Sequence, residues 1–182
     1  MGETPNFKEE ENRAHEAYKA GNFSEAAKLF CLLKKDYKAL DDNVFAGEMA
    51  NNASVSYLQG DDPKNALAVL DGVAEVFEAQ GDNQKLAVTF GNKAASLEAL
   101  NQNEKAADLY QKAAEIFSEE GDSELYRNTI QSLSALQLRT GLPIEALTTM
   151  KVSMEKAPQK GIKNRFLKRI LDIPFQLITP KQ

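Results

Sequence analysis

Apolar residues along this chain recur at helical spacing. The clearest stripe runs Ala106, Leu109, Tyr110, Ala113, Ile116 and Phe117, which lays one apolar face along a helix over 103–119. No segment of useful length alternates apolar and polar residues as a half-buried strand would, so the spacing predicts an all-helical chain. Where the stripes break, turn chemistry takes over: Gly21-Asn22, Gly60-Asp61-Asp62-Pro63, Asn101-Gln102-Asn103 and Gly141-Leu142-Pro143. Pro63 and Pro143 suit a first helical turn, where a missing amide donor costs nothing, and Asp42, Asp82 and Asp122 are placed to cap the helices that follow them. The predicted helices are 7–20 and 23–39, 43–59 and 63–79, 83–100 and 103–119, and 123–140 and 143–157.

These pairs repeat with a fixed period. Ala26, Ala66, Ala106 and Ala146 stand forty residues apart; four residues beyond each come Phe30, Leu70, Tyr110 and Met150, and twelve residues before each come Ala14, Ser54, Ala94 and Ser134. Small residues at the same two places in every unit let paired helices cross closely, and the large residue fills the space between units. A period of this length identifies a solenoid of stacked supersecondary units. The repeats fall at 7–40, 43–80, 83–120 and 123–158.

The small residue of the first helix, the Ala20-Gly21 stop and the alanine of the second helix together resemble the tetratricopeptide repeat pattern, over residues 7 to 157. The resemblance is to the long-helix form, since the family's usual unit is about 34 residues. It implies a right-handed α-solenoid of four helix-turn-helix repeats forming one domain over 1–182, whose first helices line a concave groove for a peptide or helix. The central position of the first helix is Tyr57 and Leu97 in the inner repeats but Ala17 and Gln137 in the outer ones, as suits units with one face turned to solvent.

In the same phase, Gly161 follows Gly121 by forty residues, and Ile162, Phe166, Ile170 and Ile173 form a further stripe that stops at Pro174. Residues 162–173 are therefore expected to form a capping helix, followed by an extended apolar tail over 174–182. From Lys151 onward the chain carries eight Lys or Arg against Glu155 and Asp172, a net +6, so residues 1–150 carry the remaining −11 of the total −5. A basic amphipathic helix with an apolar tail has two other uses: self-association into a homo-oligomer through 162–182, or contact with an anionic membrane surface. Capping is the preferred reading.

Composition narrows the function. The net acidic charge opposes broad nucleic-acid binding, so nucleic acid is not an expected partner. The polar, acidic stretch Met1 to Glu11 has neither a secretory nor a membrane-spanning pattern, and a cytoplasmic location is expected. Cys31 and His15 are the only residues of their kinds; both are read as packing residues, and neither a metal site nor a cofactor is expected. No phosphate loop, catalytic triad or paired acid site is present in the sequence, so the chain is expected not to be an enzyme.

Binding residues are sought on the first helices. Asn12, Asn52, Asn92 and Ser132 occupy one equivalent position in the four repeats. A side-chain amide both donates and accepts, so a ladder of them pairs with the main chain of an extended ligand whatever its sequence; the long-helix repeat proteins that this chain resembles use such a ladder. Asn51, Asn128, Gln131 and Arg139 flank it, with Val55, Val88 and Ala95 supplying apolar surface. The expected function is a protein-interaction module or scaffold that holds an extended or helical peptide segment of a protein partner in this groove, and the competing use is a structural subunit that assembles through its C-terminal helix and tail.

Overall fold

The computed structural model describes residues 7–156. Within them the chain forms nine α-helices and no strand: α1 (Phe7–Lys19), α2 (Phe23–Ala39), α3 (Asn43–Gln59), α4 (Pro63–Ala68), α5 (Val73–Gln80), α6 (Asn83–Ala99), α7 (Asn103–Glu119), α8 (Ser123–Arg139) and α9 (Pro143–Lys156). Consecutive helices pack on one another along the chain, so the architecture is an α-solenoid of helical repeats. The capping helix expected over 162–173 and the tail over 174–182 lie outside the described residues.

The turns explain the regularity. A residue with left-handed backbone occurs at Gly21, Asp41, Asp61, Gly81, Asn101, Gly121 and Gly141, with φ between 59 and 79°; each follows its predecessor by twenty residues. Glycine takes this conformation without penalty, and Asp and Asn take it more readily than other side chains. At four of these turns the following residue caps the next helix: the carboxylates of Asp42, Asp82 and Asp122 accept from the amides of Phe45, Lys85 and Leu125 at 3.2, 3.0 and 3.0 Å, and Asp62 accepts from Asn65 at 3.2 Å. Such caps contribute about 1 kcal/mol each.

Packing follows the small-large scheme. Ala14, Ser54, Ala94 and Ser134 are buried, as are Ala26, Ala66, Ala106 and Ala146, and Phe30, Leu70 and Tyr110 fill the seams between them. Met150, in the fourth unit, is only half-buried.

Two expectations need correction. The helix expected over 63–79 is broken: α4 ends at Ala68, Gly72 takes φ 72°, and α5 begins at Val73. The Asp71-Gly72 pair supplies the turn chemistry, and Lys34 of α2 donates to the freed Val69 carbonyl at 2.8 Å. The register survives the break, because Val73, Ala74 and Phe77 are all buried. His15 is exposed, and its ring meets the edge of Phe30 at 5.1 Å without entering the core. Cys31 packs as expected: it is half-buried against the core cluster that holds Phe30 and Leu33, with its sulfur 3.6 Å from the Tyr57 hydroxyl.

Candidate protein-binding face

The first helices of the four repeats are α1, α3, α6 and α8. Between repeats two and three, α3 packs directly on α6, whereas contact between consecutive second helices is sparse or absent. At this step the first helices form the tighter side of the stack.

Two neighbouring asparagines on α3 divide the work. Residues adjacent in a helix point about 100° apart, so Asn51 turns into the α3–α6 seam, where it is 7% exposed, while Asn52 is half-buried beside it. Asn92 donates to the Asn51 side-chain carbonyl at 3.0 Å, Asn51 donates to the Thr89 hydroxyl at 3.0 Å, and Thr89 donates to the Lys85 carbonyl at 2.8 Å. Thr89 is fully buried, and a buried polar group that finds its partner avoids the desolvation cost of leaving it unpaired. Asn92 is thus partly committed to holding repeat three on repeat two. Asn12 on α1 is exposed, and neither its side chain nor that of Asn52 bonds another described residue. Asn12, Asn52 and Asn92 share a position in the repeat but differ in what their amides have left to offer.

On α8, Asn128 and Gln131 are exposed and Ser132 is half-buried, its hydroxyl donating to the Asn128 carbonyl at 3.2 Å. Arg139 is exposed and pairs with Glu98 of α6. Glu98 also accepts from the Tyr110 hydroxyl of α7 at 2.9 Å, so one carboxylate joins three successive helices. Burial, and then the neighbouring carboxylate, push the Tyr110 hydroxyl well above the ordinary tyrosine range. This group lines a cleft of about 630 Å³ bounded by Gln59, Ala95, Glu98, Tyr110, Leu136 and Arg139. Sequence reasoning found Arg139 but missed Glu98, Tyr110 and Thr89. A signal was present for Glu98, a charged residue at the repeat position held by Leu58 and Leu138.

An α-solenoid of helical repeats with polar residues along its first helices fits a class, the helical-repeat interaction module. The comparison with protein families then supplies the family: the model described as "Soluble NSF attachment protein, SNAP" matches residues 8–171, and the chain belongs to that family. A comparison with curated proteins gives no match. The family is an adaptor-type, non-enzymatic family of helical-repeat proteins that mediate protein–protein interaction. The helical-repeat part of the tetratricopeptide resemblance agrees with this membership. No described helix is long and apolar enough to cross a membrane.

Proposed function

We propose that the chain acts as an adaptor that holds an extended or helical segment of a partner protein along the face formed by α1, α3, α6 and α8. The observation that carries it is the pair Asn12 and Asn52, at one repeat position on successive first helices, with side-chain amides that bond no other described residue. Two such amides, with the free side of Asn92 as the third rung, offer alternating donors and acceptors to a peptide main chain. Half-buried Val55, Val88 and Ala95 give the same face apolar patches, so a peptide with some apolar side chains suits it. Asn128, Gln131, Ser132 and Arg139 extend it along α8. The long-helix tetratricopeptide mode of recognition is the finer form of this reading, with a cytoplasmic site of action.

The family name makes NSF the first protein to test. Purified NSF, and separately a whole lysate, are passed over the intact chain and over Asn12→Ala with Asn52→Ala. Because neither side chain bonds the rest of the fold, the double variant keeps its helicity and melting temperature. The expected result is loss of the captured proteins by about tenfold, the effect of roughly 1.4 kcal/mol. Equal capture by both proteins would remove the inner face from the mechanism.

A further inference from the structure

The polar seam between α3 and α6 has a direction. Asn92 donates to Asn51 at 3.0 Å, Asn51 to Thr89 at 3.0 Å, and Thr89 to the Lys85 main-chain carbonyl at 2.8 Å. The last member can only accept. The Thr89 hydroxyl has one proton, gives it to that carbonyl, and so meets Asn51 with its lone pairs. Asn51 therefore turns its NH2 group toward Thr89 and its oxygen toward Asn92, which donates to that oxygen in turn. In the opposite direction, from Thr89 through Asn51 to Asn92, the same side chains make two bonds instead of three, because the hydroxyl proton is no longer given to Lys85. Thr89 is fully buried and Asn51 is 7% exposed, so the forfeited bond carries a desolvation cost.

This direction decides what Asn92 presents outward. Its nitrogen is turned into the seam, while its side-chain oxygen bonds no described residue and is not enclosed. Neither neighbouring step repeats the device. Between α1 and α3, the position of Thr89 is taken by Met49 and that of Asn51 by Glu11, which accepts from the Tyr37 hydroxyl at 2.5 Å. Between α6 and α8, Thr129 donates to the Leu125 carbonyl at 2.8 Å as Thr89 does to Lys85, but the residue in the place of Asn51 is Gly91, which has no side-chain amide. Ser132, in the place of Asn92, donates to its own helix at the Asn128 carbonyl.

We propose that Thr89 and Asn51 are positioning residues for partner binding: they fix Asn92 as a hydrogen-bond acceptor on the first-helix face, so the bound segment brings an N–H donor to α6. A main-chain amide meets that need, and a proline at the same register does not. Asn12 and Asn52 have no such relay behind them and take a donor or an acceptor. The use of the Asn92 oxygen by a partner rests on the reading of this face as the binding face; the direction of the relay does not.

Nuclear magnetic resonance of the side-chain amides in the intact chain tests both parts. One of the two Asn92 side-chain protons is expected to exchange about tenfold more slowly than those of Asn12. Thr89→Ser keeps the hydroxyl and should keep this protection, whereas Thr89→Val should lose it while the backbone amides of α7 stay protected. Two fast Asn92 protons in the unmodified chain would overturn the direction of the relay, a result that needs no variant to fold. Protection that survives Thr89→Val would overturn the role of Thr89. The donor requirement is read with two small probes: N-methylacetamide, which has the N–H and C=O of a peptide bond, and N,N-dimethylacetamide, which lacks the N–H. The Asn92 side-chain carbonyl carbon is expected to shift with the first and not with the second, while the Asn12 amide shifts with both. Equal shifts at Asn92 would overturn the proposal. Unaltered capture of proteins by the Asn12→Ala, Asn52→Ala chain would instead overturn the binding face, and with it the partner's part in this proposal, without changing these spectra.

Discussion

The ring of Phe77 lies against the backbone of Gly47: a β-carbon placed on Gly47 would come 2.9 Å from the Cζ of Phe77. Phe77 is fully buried and cannot swing away, and α5, which carries it, follows the break at Gly72. Ordinarily alanine stabilises a helix by about 0.5–1 kcal/mol over glycine. At Gly47 overpacking costs about 1–3 kcal/mol, so Gly47→Ala should destabilise. Gly91→Ala, with nothing within 4 Å of the new carbon, should stabilise. Urea denaturation of the two variants gives opposite signs of shift; a stabilised Gly47→Ala would mean that the contact is looser than described.

Gly72 supplies a second test of the broken helix. Its φ of 72° costs a side-chain-bearing residue about 1–2 kcal/mol. Gly72→Ala should lower stability by that amount, and Gly72→Asn by less, because asparagine tolerates the left-handed region. Equal stability of both variants and the parent, by thermal or urea melting, would show that α4 and α5 join into one helix when the glycine is replaced.

The Asn51 seam separates a structural asparagine from those proposed to bind a partner. Thr89→Val leaves the buried Asn51 amide without its acceptor, and such an orphan costs about 1–3 kcal/mol. Asn12→Ala, on an exposed face, should change stability by less than about 0.5 kcal/mol. Denaturant midpoints of the two variants check this, and a neutral Thr89→Val would show that water replaces the threonine.

Acid should loosen the junction of repeats two and three. Lys85 donates to Asp82 at 2.8 Å and to Glu48 at 3.0 Å, and its backbone amide is capped by Asp82. The Lys85 side chain, and then its amide, hold the Asp82 carboxyl below its usual range. A carboxyl whose folded pKa is depressed contributes stability that is present above its unfolded value, about 4, and is lost as pH falls through the lower folded value. The groups are about a third exposed, so solvent screens much of the gain. Asp82→Asn keeps a capping oxygen but does not titrate. The stability gap between parent and variant is expected to close as pH drops below about 4, and a gap that persists at low pH would place the effect elsewhere.

Most of the helical frame was legible because punctuation and packing agree. Gly21, Asp82, Pro143 and the alanines at 26, 66, 106 and 146 carry the same instruction at local and tertiary level. The break at Asp71-Gly72 was hidden by that regularity, since Leu70, Val73 and Phe77 keep the apolar register on both sides of it. The face was legible only in outline. Spacing groups Asn51 with Asn52, but whether an amide meets Thr89 or open groove depends on how closely α3 approaches α6, which no single helix encodes. The Glu98–Tyr110–Arg139 group joins three helices and becomes visible only when they are assembled.

The even beat of the turns makes this array modular. A block cut from Asp82 to Gly121 contains a capping carboxylate at one end and a left-handed glycine at the other, so copies of it join end to end through junctions the chain already uses. Length along the first-helix face is then a quantity counted in whole blocks, and a protein of this design can lengthen its reach by duplication without inventing a new turn.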